Sequence, residues 1–283
     1  MTLSTTQKVA IARVLSRSTL LLRRLLGKGP QAVATRHGVR WSLDLREGID
    51  LAIYLLGGFE LATLKQYERY VKPGDVVFDI GANIGSHTLP LARLVGPAGR
   101  VHAFEPTAFA YRKLLQNLAL NGELAGRVDA RQLMAVANDA EAIPEEIHSS
   151  WPLDSVDGLD EWHCGRLMGT EGAQKATLDQ FVADCAIARV DFIKIDVDGN
   201  EHTVLAGARR MLARFRPTMM IELAPYVYRD RPAEFDAFVD LLLEIGYRFH
   251  DAANERELPA SAKGIRGAVS DGAGLNAVAI HQC

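Results

Sequence analysis

The stretch Val76-Val77-Phe78-Asp79-Ile80-Gly81-Ala82-Asn83-Ile84-Gly85 decides how the rest of the chain is read. A β-branched and aromatic run, entered through the turn residues Lys72-Pro73-Gly74-Asp75, reads as a short strand. Gly81 and Gly85 then let the backbone turn sharply and let a ligand approach it closely. The pattern predicts a helix from about Ser86 to Val95, whose first amides would face that ligand. A dinucleotide site prefers G-x-G-x-x-G, with an apolar residue in place of Asp79. Here an acid closes the strand and Asn83 replaces the middle glycine, which suits a cationic ligand, such as a sulfonium carrying an ammonium group, better than a pyrophosphate.

Outward from this point the chain alternates. Strands are expected at Arg100–Phe104, Val128–Val136, Val190–Val197, Thr218–Leu223, Tyr247–His250 and Asn276–His281. Helices are expected at Ala108–Asn121, Glu201–Arg214 and Pro232–Ile245. Strands separated by helical segments indicate an α/β fold: a doubly wound, mostly parallel sheet with helices on both faces. Ligands in such sheets sit beyond the carboxyl ends of the strands, at the switch in strand order. Two acids stand at such ends. Glu105, in Ala103-Phe104-Glu105-Pro106, lies twenty residues past Gly85, where a carboxylate can accept hydrogen bonds from ribose hydroxyls. The second cluster is Lys194-Ile195-Asp196-Val197-Asp198-Gly199-Asn200-Glu201. Alternation places Lys194, Asp196 and Asp198 on one face. A lysine and carboxylates in an apolar strand are costly unless paired, so the group is either a structural ion pair or an acid/base site. Asp196, Asp198 and Glu222 could also hold a hard divalent cation, although no metal-specific spacing supports this.

Composition narrows the class. The 283 residues include 32 Lys and Arg against 35 Asp and Glu. Eight of the basic residues and none of the acidic ones fall within positions 1–43, so the remainder carries 24 basic residues against 35 acidic, a net of −11. An acidic body without interleaved basic and aromatic residues argues against nucleic-acid binding. Cys164, Cys185 and Cys283 are too scattered for a disulfide framework or a zinc site. The longest apolar run, Leu51–Phe59, is too short to span a membrane. Residues 1–43 are read as a basic, amphipathic N-terminal helical segment and 44–283 as the main domain. Residues 7–28 form an amphipathic helix with Ile11, Leu15, Ser18, Leu22 and Leu25 on one side and Arg13, Arg17, Arg24 and Lys28 on the other. That helix packs on the body or on a homo-oligomer mate, or it rests on anionic lipid. Residues 138–176, with His148, Trp151, Trp162, His163 and Cys164, lack periodicity and read as a lid or substrate loop.

Taken together, Asp79–Gly85, Phe104-Glu105-Pro106, Asn117, Asn121-Gly122, Thr177-Leu178-Asp179, Lys194-Ile195-Asp196-x-Asp198-Gly199-x-Glu201, Val204-Leu205-x-Gly207-Ala208 and Arg216-Pro217 before Ile221-Glu222 resemble the FkbM-type family of S-adenosylmethionine-dependent methyltransferases. The similarity covers about residues 55–225. One departure is Asp198, where the family more often has Glu. The resemblance implies a class I methyltransferase fold, Rossmann-like, and methyl transfer to oxygen, commonly on a sugar or polyketide hydroxyl. It implies that Asp79, Gly81, Asn83 and Gly85 contact the methionine part of S-adenosylmethionine, that Glu105 holds the ribose, that Asp139 faces adenine and that Glu60 lies near the cofactor. Asp196 is the first choice for the base or acceptor-orienting group, Lys194 for stabilising charge on oxygen, and His87 and His163 are alternatives. A saccharide is the preferred acceptor and a secondary metabolite the second. The expected location is the cytoplasm, with peripheral contact at the inner face of the cytoplasmic membrane. A nucleotide-binding protein without methyl transfer, or a non-catalytic scaffold, are the readings from other classes.

Overall fold

The apolar runs become the middle of a seven-stranded sheet. The computed structural model describes residues 5–149, 151–154, 159 and 165–282. Its strands are β1 (Gln31–Arg36), β2 (Val39–Asp44), β3 (Val76–Ile80), β4 (Arg100–Phe104), β5 (Val128–Arg131), β6 (Leu133–Ala135), β7 (Glu146–Ser149), β8 (Arg166–Gly169), β9 (Gln174–Ala176), β10 (Phe192–Ile195), β11 (Thr218–Leu223), β12 (Tyr247–Asp251) and β13 (Leu275–His281). Its helices are α1 (Thr5–Leu25), α2 (Gly48–Leu56), α3 (Leu61–Tyr70), α4 (Thr88–Leu94), α5 (Ala108–Ala119), α6 (Gly122–Ala125), α7 (Leu178–Asp184), α8 (Glu201–Ala206), α9 (Arg209–Phe215), α10 (Pro232–Glu244) and α11 (Ala262–Ala268).

The sheet order is β12-β13-β11-β10-β3-β4-β5. Strands β5, β4, β3, β10 and β11 pair in parallel, while β13 runs antiparallel to both of its neighbours. This is the doubly wound fold the alternation predicts, and its order reverses between β3 and β10. Asp79 and Lys194 are register partners at that switch. Alternate residues of the central strands enter two separate cores. Phe78, Ile80, Ile193 and Ile221 pack on one face with residues of α7–α11, and Val77, Phe192, Val101 and Met220 pack on the other with residues of α2–α5. Burial on both faces explains why these strands read as continuous apolar runs. Each such side chain contributes roughly 1.5–3 kcal/mol when fully buried.

Several boundaries differ from the sequence reading for local reasons. The helix after the glycine turn begins only at Thr88. The third strand breaks at Gln132: β5 stays in the main sheet and β6 leaves it to pair with β9. The helix expected over 201–214 is two helices: the Asp179 amide donates to the Gly207 carbonyl oxygen and the Asp179 carboxylate accepts from the Arg210 and Met211 amides, so α7 intervenes between the end of α8 and the start of α9. In the segment 138–176, strands β7 and β8 pair antiparallel and β9 joins β6, so its described part is strand-built. Trp162, His163 and Cys164 lie outside the described residues.

The N-terminal segment also differs from expectation in one respect. Helix α1 packs on the body through Val9, Ala12, Ser16 and Leu20, and Ser16 Oγ donates to the Leu45 carbonyl oxygen at 2.8 Å. The side read as apolar, Ile11, Leu15, Ser18, Leu22 and Leu25, is not the one that meets the body: it faces outward and is exposed. No described helix is long and apolar enough to cross a membrane.

Candidate active site

A cavity of about 460 Å³ opens at the carboxyl ends of β3, β4 and β10, where the strand order reverses. Its floor is the loop after β3. Gly81 (φ +81°) has no room for a side chain, since a Cβ would meet the Asp196 carbonyl oxygen at 1.9 Å. Asn83 takes a left-handed conformation (φ 48°), and its amide N–H donates to Glu105 Oε2 at 2.9 Å. The other Glu105 oxygen accepts from the Thr107 amide at 2.8 Å and the Thr107 hydroxyl at 2.5 Å. Burial raises the Glu105 pKa, and these hydrogen bonds oppose the rise. Gly81, Asn83 and Glu105 all line the cavity.

Asp79 and Gly85 do not line it. Asp79 is fully buried behind the floor. It accepts from the Thr88 hydroxyl at 2.6 Å, and its Oδ1 lies 3.7 Å from Lys194 Nζ without a hydrogen-bond partner. Gly85 (φ +91°) is a turn and packing residue, with Leu114 2.9 Å from where its Cβ would be. Asp139 is exposed in the turn after β6 and also lies outside the lining; its carbonyl oxygen accepts from Lys175 Nζ at 2.7 Å. The expectation that Asp139 faces adenine assumes a continuous third strand, and the departure of β6 carries this residue away. Leu133, Met134 and Ala135 line the cavity instead.

Lys194 is the centre of the charge arrangement. Its Nζ lies 3.5 Å from Asp196 Oδ2 and donates to the Gly81 carbonyl oxygen at 3.1 Å. Burial alone would lower its pKa, but the charges of Asp196 and Asp79 outweigh burial and raise it, so it stays an ammonium. Asp196, Asp198 and Glu222 come together with oxygens within 4.8 Å of one another. Burial, then the charge of Asp196, raises the Glu222 pKa well above its ordinary value. Asp198 lines the cavity with its residue surface exposed, yet desolvation within the cleft, then the charges of Asp196 and Glu201, push its carboxyl up to about 8. The loop is held by Glu201, which accepts from the Val197 and Gly199 amides and from the Tyr228 hydroxyl.

Opposite this cluster stand Glu60 and His87. Glu60 has a left-handed backbone (φ 50°) at the start of α3 and accepts from Asn276 Nδ2 at 3.1 Å. Burial, then Asp196, raises its pKa. His87 is buried, with Nδ1 2.8 Å from the Tyr67 hydroxyl and Nε2 3.9 Å from Glu60 Oε2. Burial and the Lys194 charge drop its pKa well below the ordinary value, so the ring is neutral. The β7 segment supplies Ile147, His148 and Ser149, followed by Trp151, which packs edge-on against Phe59 at 5.4 Å. Sequence reasoning passes over Ser149, Phe59, Arg231 and Lys8, all of which line the cavity. Phe59 and Ser149 adjoin the singled-out Glu60 and His148, but Arg231 and Lys8 carry no such signal, and only the fold gathers the four.

The model of the methyltransferase FkbM domain matches residues 79–249 of this chain. The chain belongs to the FkbM-type family of S-adenosylmethionine-dependent methyltransferases. Two relatives share this domain. The 31-O-demethyl-FK506 methyltransferase FkbM of Streptomyces tacrolimicus is 32% identical over 176 residues, covering 52% of this chain and 66% of its own length. The 2-O-methyltransferase NoeI of Sinorhizobium fredii is 27% identical over 172 residues, covering 55% of this chain and 68% of its own. The matches thus span only about two thirds of those relatives. The crystal structure of methyltransferase FkbM from Methylobacillus flagellatus is 17% identical, with a TM-score of 0.44, covering 77% of this chain and 50% of that one. Several FkbM-type motif residues prove to be scaffold. Asn117 accepts from the Ser42 amide and donates to the Ile84 carbonyl, tying β2 to the floor loop. Asp179 accepts from the Arg210 and Met211 amides at the start of α9.

Proposed function

We propose that this protein transfers a methyl group from S-adenosylmethionine to a hydroxyl oxygen of a saccharide, either a glycan or a lipid-linked sugar. One observation carries the reading: Asp196 faces the cavity at the strand switch, with its carboxylate 3.5 Å from a buried ammonium. The cavity also fits the cofactor. Its floor is cut to backbone at Gly81, Glu105 lines it from the end of β4 and would hold the ribose, and its walls carry carboxylates suited to a positive charge.

When bound, S-adenosylmethionine supplies a methyl carbon already activated by its sulfonium, so the protein must chiefly position the acceptor and manage one proton. Asp196 takes the hydroxyl proton on its carboxylate oxygen. Lys194, fixed by Asp79 and the Gly81 carbonyl, lies 3.5 Å from Asp196 and faces the charge that develops on the acceptor oxygen. Neutral His87 lies beside Glu60, which the Asn276 amide holds by a hydrogen bond. Asp196, Asp198 and Glu222 act as counter-charge to the sulfonium, and no step here requires a divalent cation.

Transfer to oxygen is supported by the names of both relatives. A hydroxyl-rich acceptor suits a rim that carries Asn200, Asp230, Arg231 and His148. The second reading, a secondary-metabolite hydroxyl, is favoured by the Streptomyces relative's name. The proposed location is the cytoplasm, peripheral at the inner face of the cytoplasmic membrane. Mass spectrometry of cell-surface saccharides with and without the protein tests the acceptor. A lost methylation increment supports it; unchanged saccharides alongside active S-adenosylmethionine turnover favour the second reading.

A further inference from the structure

We propose that the outward face of α1 rests on an anionic lipid bilayer and holds the cavity mouth at that surface. Ile11, Val14, Leu15, Leu21, Leu22 and Leu25 recur at three-, four- and seven-residue steps, which puts them in one sector of the helix. All are exposed, from 45% for Leu15 to 75% for Leu25. This sector is opposite the one that packs on the body, and the described residues leave it uncovered. An exposed apolar stripe of this kind, interrupted by the small Ser18, marks an interaction surface.

Charge selects the occupant. Lys8 borders the stripe on one side and Arg17 and Arg24 on the other, all exposed. The helix holds no acidic residue, nor does any position before Asp44. A sector of leucines flanked by cations, on a helix unable to span a membrane, lies in the plane of an anionic headgroup layer. A self-complementary protein interface would bring those cations against their own copies.

Position gives the consequence. Lys8, in the first turns of α1, also lines the catalytic cavity. A bilayer against α1 therefore lies beside the entrance, and an acceptor anchored in lipid would meet the site without leaving the surface. This last step rests on the proposed acceptor class; the docking itself does not.

The test uses the full-length protein with vesicles of phosphatidylcholine alone and of phosphatidylcholine mixed with phosphatidylglycerol. Co-sedimentation with the anionic vesicles only, reversed by salt, is the expected result. Leu22→Glu/Leu25→Glu and, separately, Arg17→Glu/Arg24→Glu should each weaken vesicle binding at least tenfold while S-adenosylmethionine affinity by calorimetry is unchanged. Absence of vesicle binding by the wild type, or equal binding by both variants, overturns the proposal. So does a wild-type dimer that ignores vesicles and becomes a monomer in the leucine variant, because the face would then be a self-association surface. Loss of cofactor binding in the wild type would instead strike the methyltransferase reading and leave the vesicle result standing.

Discussion

At the scale of single residues, the account turns on two groups that alternate along one strand and its end, Lys194 and Asp196. Asp196→Asn keeps the shape but removes the proton acceptor, so turnover should vanish while cofactor affinity stays within about tenfold, or ~1.4 kcal/mol. Undiminished turnover would remove Asp196 from the mechanism. Lys194→Met leaves Asp79 buried beside an uncompensated site, which costs about 3–5 kcal/mol when one partner of a buried pair is lost. Adding Asp79→Asn should restore part of that loss in urea unfolding; strictly additive losses would mean that the two groups do not act as a pair. The sequence places both residues at strand ends but not their depth. Asp79 and Asp196 look equivalent as acids closing apolar runs, yet Asp79 lies behind the cavity floor and only Asp196 reaches the cavity. That difference depends on where the chain turns after each strand, which spacing does not record.

At the scale of elements, the strand–turn–helix unit over residues 76–94 is legible because its strand is buried on both faces and its turn needs glycine. Gly81→Ala is expected to abolish cofactor binding, since the residue has positive φ and its Cβ would strike the β10 loop. Calorimetry showing unaltered affinity would mean the floor is not built as described. The β1–β2 hairpin is less legible, although its signal exists. Val39, Trp41 and Leu43 alternate into the core after His37-Gly38, but the basic residues around them mask the pattern. Asn117→Ala should lower stability by about 1–3 kcal/mol, as it leaves the Ser42 amide and the Ile84 carbonyl without their partner. A shift in the urea midpoint measures this. The broken third strand and the split helix at Gly207 were hidden for one reason: each break is set by contacts with a distant segment of the chain, not by a local breaker.

At the scale of the whole molecule, the net charge of −3 conceals a basic helix and an acidic cavity. Glu222, Glu60 and Asp198 all have raised pKa values, with Asp198 at about 8 against an ordinary 3.8. A raised carboxyl pKa means that the folded protein holds more protons than the unfolded chain. The ligand-free protein should therefore lose stability from this source as pH rises from about 4 to about 8. A cationic ligand favours the carboxylates, lowers those pKa values and expels protons. S-adenosylmethionine binding at pH 7 should accordingly release protons, seen as a buffer-dependent enthalpy, and its affinity should rise with pH up to about 8. S-adenosylhomocysteine, which lacks the sulfonium charge, should release fewer; equal release by both would contradict the electrostatic role of the cluster. Titration calorimetry of the wild type and Glu105→Ala with S-adenosylmethionine and NAD decides whether the cavity at the β3–β10 switch is an S-adenosylmethionine site. One S-adenosylmethionine should bind per chain, at least tenfold more weakly in Glu105→Ala, with no NAD binding; NAD binding as tightly as S-adenosylmethionine, or an unaffected variant, would contradict that assignment.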